Sequence, residues 1–132
     1  MALNSKVDYW LDLCDDDLIT AKAMLETKRF AWMGFVCHLV VEKALKAVIA
    51  NKASEPIPRT HDLPKLARIG GIYDSLNAAQ QQLLRILMPL HLEARYPEYK
   101  AQISEKLTPD YCKAILQDTE AFLCWIKTKL GK

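Results

Sequence analysis

The chain has 132 residues, 51% of them hydrophobic and 26% charged, with a formal net charge of +2 at pH 7. That is enough length and apolar content for one domain with a real core, and it excludes an intrinsically disordered chain. It also excludes nucleic-acid binding by bulk electrostatics, so any nucleotide or RNA contact has to be local. Cys14, Cys37, Cys112 and Cys124 show no two-residue spacing of a zinc or redox pair and fall in apolar helical stretches, as reduced core thiols do. The N-terminus shows no basic segment followed by an apolar one. The nearly uncharged run Phe30 to Val41 is too short to cross a bilayer. A cytoplasmic protein without membrane attachment is the expectation.

Val7, Leu11, Cys14, Leu18, Ala21 and Leu25 recur in steps of four and three, the stripe of an amphipathic helix from about Ser5 to Thr27. A second helix is expected from Phe30 to Asn51. It is apolar nearly all round before Glu42, so it has to be buried on several sides. Gly34 would let another helix approach closely. Ser54 to Thr60 contains two prolines and reads as a loop. Thr60 or His61 is expected to cap a short helix through Arg68, with Pro64 in its first turn and Gly70-Gly71 at its end. Asn77 caps a further helix carrying Leu83, Leu84, Leu87 and Leu90, which Pro89 should kink or end. Glu93 to Leu107 reads as mostly irregular. Thr108-Pro109-Asp110 starts the last helix, with Cys112, Ile115, Leu116, Phe122, Leu123, Ile126 and Leu130 on its apolar face. The expected fold is all-α: an antiparallel up-and-down helical bundle of four long helices plus one short helix, forming a single domain over residues 1–132.

Several polar groups stand out against this apolar frame. Glu42 and Lys46 are four apart with the acid first. They are either an ordinary solvated helix pair or, with Lys43, part of a phosphate- or partner-binding surface. His38, four residues before Glu42, is expected as a core histidine hydrogen-bonded to that carboxylate. His61 and Asp62 open a helix, so His61 either takes part in capping or faces a cleft and binds an anion there. Arg95 and Tyr96 precede Pro97. They either pack, with Arg95 ion-paired, or serve a ligand, Arg95 on a phosphate and Tyr96 stacked on a base. No set of residues has metal-ligand spacing, so neither a metal site nor a cofactor is expected.

Three of these runs, Glu42-Lys43-Ala44-Leu45-Lys46, Thr60-His61-Asp62-Leu63 and Ala94-Arg95-Tyr96-Pro97, resemble in this order and spacing the HEPN family (higher eukaryote and prokaryote nucleotide-binding). The resemblance implies a small helical bundle that binds a nucleotide or RNA and acts with a minimal nucleotidyltransferase partner, as in a two-gene toxin–antitoxin pair. It also implies an alternative. Catalytic HEPN ribonucleases carry an Arg, four to six residues, then a His, and Arg85 and His91 fit that spacing. The chemistry suits metal-independent RNA cleavage: His exchanges a proton near neutrality and Arg holds charge developing on phosphate. Ile86 and Glu93 depart from the catalytic pattern, which has a polar residue after the Arg and, in some toxins, a Tyr two residues after the His. A third alternative is a structural dimerisation module without ligand.

The apolar circumference of the second helix and the family resemblance both lead to a homodimer. Light scattering at micromolar concentration should give twice the 15.0 kDa mass of the chain, and a monomer mass would refute it.

Overall fold

A computed structural model describes residues 2–52, 56–93, 96 and 105–132. Helices α1 (Ala2–Glu26), α2 (Phe30–Ala50), α3 (Leu63–Ile69), α4 (Ala78–Glu93) and α5 (Pro109–Lys129), with one 3-10 turn at Tyr73–Ser75, make up the fold, and no strand occurs among the described residues. The fold is all-α, and its helices pack on one another as a bundle. The expected boundaries hold to within a few residues, since periodicity and capping chemistry are local signals.

The caps show how the chain punctuates itself. Asn77 Oδ1 accepts from Gln80 N at 2.8 Å and Gln80 Oε1 accepts from Asn77 N at 2.9 Å, a reciprocal box at the start of α4. Thr108 Oγ1 accepts from Tyr111 N at the start of α5. At α3 the cap is Asp62, whose carboxylate accepts from Lys65 N at 3.0 Å, and not Thr60 or His61. Thr60 Oγ1 instead accepts from Asp62 N and shapes the approach. α1 ends with Lys28 at φ 61°, Lys28 N bonded to Leu25 O and Arg29 N to Met24 O. This is a Schellman closure that turns the chain within three residues and returns α2 alongside α1.

Helix α2 is the axis on which α1, α3, α4 and α5 all pack. Its Met33, Gly34, Cys37, Val40, Val41, Ala44 and Leu45 are buried by the chain itself. The apolar circumference that suggested a partner is therefore largely met within the bundle, although Trp32 stays 38% exposed. Cys14, Cys37 and Cys112 are buried free thiols as expected, whereas Cys124 is exposed because it lies off the apolar face of α5. Lys22–Glu120 and Lys127–Asp15 ion pairs join α1 to α5 at the surface.

Of the two outcomes expected at Pro89, a kink or an end, the end does not occur: helix α4 continues through it to Glu93. Pro89 and Arg85 both lie on the exposed side, so the Arg85 carbonyl that Pro89 cannot serve is on the face where water replaces the lost donor. Continuing the helix carries Leu90 and His91 onto α2. Gly34 makes the approach possible: a Cβ there would lie 2.8 Å from Leu90 Cδ1 and 3.4 Å from Leu90 Cβ. Gly34→Val should cost ~1–3 kcal/mol in urea unfolding by overpacking. Gly34→Ala should change stability by less than ~1 kcal/mol, because its gain in helix propensity offsets a small shift of Leu90.

Candidate functional site

All three histidines of the chain meet at one place, drawn there from three segments. His38 comes from the middle of α2, His61 from the loop before α3 and His91 from the end of α4. The His61 and His91 rings stack at 4.3 Å between centroids, and those of His38 and His91 tilt together at 4.6 Å. Phe35, one turn before His38, stacks on His91 at 5.5 Å.

Beneath the rings lies the carboxylate of Glu42, its side chain 5% exposed. Its two oxygens have separate duties. Lys46 Nζ donates to Oε2 at 3.0 Å, and His61 Nδ1 donates to Oε1 at 2.8 Å. Burial pushes the Glu42 carboxyl up, but the bonds from His61 and Lys46 outweigh it and hold the group below the ordinary carboxylate range. The Lys46 ammonium also lies 5.7 Å from the centre of the Trp10 ring, so α1 closes this side of the site.

His38 is wholly buried. Its expected bond to Glu42 is not formed: Nδ1 is 3.5 Å from Oε1, outside hydrogen-bonding geometry, and has no other partner. Instead Nε2 lies 3.1 Å from the His61 carbonyl. A carbonyl only accepts, so Nε2 carries the proton. Burial, then the neighbouring His91, drive the His38 pKa down to about 4 against the opposing pull of Glu42, so the ring is neutral at pH 7.

Only His61 opens this cluster to solvent, its side chain being 57% exposed. With Nδ1 used on Glu42, Nε2 is the nitrogen left for outside chemistry. An imidazole oriented by a buried carboxylate can bind an anionic group or exchange a proton. His61 is thus neither the helix cap nor an isolated cleft residue.

The other candidate residues are scattered. Lys43 is paired with Asp17 of α1 at 2.6 Å, away from Glu42. Arg85 is on the exposed side of α4 and holds Gln82 Oε1 through Nη2 at 2.8 Å, while His91 is buried in the cluster. Six residues of helix separate their side chains by roughly 120° and ~9 Å of rise, and the unbroken α4 preserves that separation. Tyr96 is exposed, and Arg95 lies outside the described residues. Sequence reasoning missed Trp10 and Phe35 as walls of the site. Their only signal was an aromatic ring on an apolar stripe, common to most core residues.

A family model for the HEPN domain matches residues 7–129. The chain belongs to the HEPN family. No curated protein and no solved structure matches it. The match takes in the first run, the second and the third, and so the whole His–Glu–Lys cluster of this HEPN domain. No described helix is long and apolar enough to cross a membrane.

The depressed His38 and Glu42 pKa values have the same sign for stability. The unfolded chain binds a proton at His38 near pH 6.5, whereas the folded chain resists it down to about 4. Stability is therefore full above pH 6.5 and falls between 6.5 and about 4, by on the order of 3 kcal/mol for His38. Protonation of Glu42 extends the loss further down, since its folded value is also below its unfolded one. Urea unfolding at a series of pH values should show this slope, and His38→Gln should flatten it.

Proposed function

We propose that this HEPN domain binds a nucleotide or RNA and acts with a minimal nucleotidyltransferase partner, as half of a toxin–antitoxin pair, and that it works as a homodimer in the cytoplasm. The observation that carries the binding reading is the exposed His61 ring, fixed through Nδ1 by the buried Glu42 carboxylate, which Lys46 in turn secures. With Nδ1–H held by the carboxylate, the ring in its protonated form presents Nε2–H outward as a preorganised donor, the kind of group that holds a phosphate oxygen without ordering cost. Exposed Tyr96, five residues beyond His91 in the chain, supplies an aromatic face for a base. Lys43 and Lys46 take a supporting part here, because their ammonium groups already hold Asp17 and Glu42. The homodimer, the partner and the two-gene arrangement rest on family membership, since the bundle itself buries most of the apolar face of α2.

Titrating ATP, GTP and a short single-stranded RNA against wild type, His61→Ala and Arg95→Ala tests the site. Each substitution should weaken binding by roughly 10- to 100-fold, the worth of one charge-assisted phosphate contact. Unchanged affinity in a folded variant removes that residue from the site, and no binding of any of the three ligands refutes the reading.

The ribonuclease alternative has one observation in its favour, the gathering of three imidazoles, of which His61 is exposed. Its weakness is the position of Arg85, turned to Gln82 on the exposed side of α4. EDTA-resistant RNA cleavage should accordingly be weak or absent in wild type. Robust cleavage lost in both His91→Ala and Arg85→Ala would install this reading in place of the first.

A further inference from the structure

We propose that His38, Glu42 and His91 form a binding site for a borderline first-row divalent cation, of which Zn2+ is the probe. The proposal does not depend on nucleotide or RNA binding. One ligand atom from each of the three side chains lies within 4.8 Å of the other two, and all three residues are buried. Tetrahedral ligands at Zn–N and Zn–O distances near 2.0–2.2 Å sit roughly 3.4 Å apart, so rotamer-scale closure brings the three onto one ion.

The lone pairs argue for a cation more strongly than the proximity does. His38 Nε2 is committed as donor to the His61 carbonyl at 3.1 Å. In the neutral ring Nδ1 is then a bare lone pair. It is fully buried, has no hydrogen-bond partner, and lies 3.5 Å from Glu42 Oε1, which also only accepts. Two acceptors facing each other in a dry interior repel, and an orphaned buried lone pair is costly. A cation between them removes both penalties.

The surroundings resemble those of a built metal site. A backbone carbonyl fixes the tautomer of His38, and Lys46 at 3.0 Å holds Oε2 of Glu42, leaving Oε1 toward the rings. His61 Nδ1, now on Oε1 at 2.8 Å, would give up that bond and serve as a fourth ligand or move aside for an outside one. Because His61 is the exposed member, it also marks the way in. Two imidazoles and one carboxylate select Zn2+, Co2+ or a similar ion over Mg2+ and Ca2+, which prefer oxygen. The Glu42 and Lys46 charges cancel, so the charge of the ion is left to be matched by an anion at the open position.

Tag-free, reduced, full-length protein treated with EDTA and exchanged into chelator-free buffer should bind one Zn2+ per chain in calorimetric titration, with a rise in Tm on loading. Co2+ should give d–d bands of N/O ligation without a thiolate charge-transfer band. His91→Gln and Glu42→Gln should each weaken Zn2+ binding at least about 100-fold, more than the 10–100-fold typical of losing a group that only orients a ligand. Circular dichroism checks that the variants fold, and if they do not, the wild-type titration decides alone. Absence of stoichiometric Zn2+ binding by wild type, equal binding by folded variants, or a thiolate band pointing to exposed Cys124 would each overturn the site.

Discussion

The buried carboxylate of Glu42 organises this molecule. A carboxylate that is 5% exposed stays ionised only if donors replace the water it has lost. Lys46, one turn along α2, serves one oxygen, and His61, from the loop before α3, serves the other. The first bond is available to any helix with this spacing. The second requires the connection after α2 to fold back, and it fixes where α3 begins. His38 completes the tie by holding the His61 carbonyl. Two bonds from one helix thus secure a proline-containing segment that has little regular structure of its own.

The same carboxylate decides what the nearby cations can do. Lys46 is committed to Glu42 and lies near Trp10, so it is part of the wall. Lys43, one position after Glu42, points to α1 and meets Asp17. Neighbours in sequence therefore have separate roles because consecutive residues on a helix face about 100° apart. What remains accessible is His61, whose orientation is inherited from the buried group beneath it.

Membership in the HEPN family covers almost the full chain and agrees with the all-α bundle. It names a class of protein without assigning a task to any side chain. The structure adds an arrangement on which a task can be proposed: an exposed imidazole over a buried core of His38, Glu42 and His91. The two proposals, nucleotide binding and cation binding, call on different atoms of this cluster, the outer nitrogen of His61 in the first and the inward lone pairs of His38 and Glu42 in the second.

The sequence by itself determined the helices and their ends. The Asn77–Gln80 box, the Thr108-Pro109 start and the apolar stripe from Val7 to Leu25 act over one or two turns, so they are legible without the rest of the chain. The order of the three polar runs likewise identified the family. Tertiary structure alone decided which polar groups meet. His38, His61 and His91 are 23 and 30 residues apart in the chain, and no local pattern says that three elements bring them to one carboxylate. The sequence paired Arg85 with His91 by spacing, but an unbroken α4 turns one outward and the other inward. It paired His38 with Glu42 by the same kind of argument, yet the ring found the His61 carbonyl, a partner that exists only once the loop has folded back. Spacing along a helix fixes which residues share a face. Whether that face meets water, a carbonyl or another imidazole depends on long-range packing.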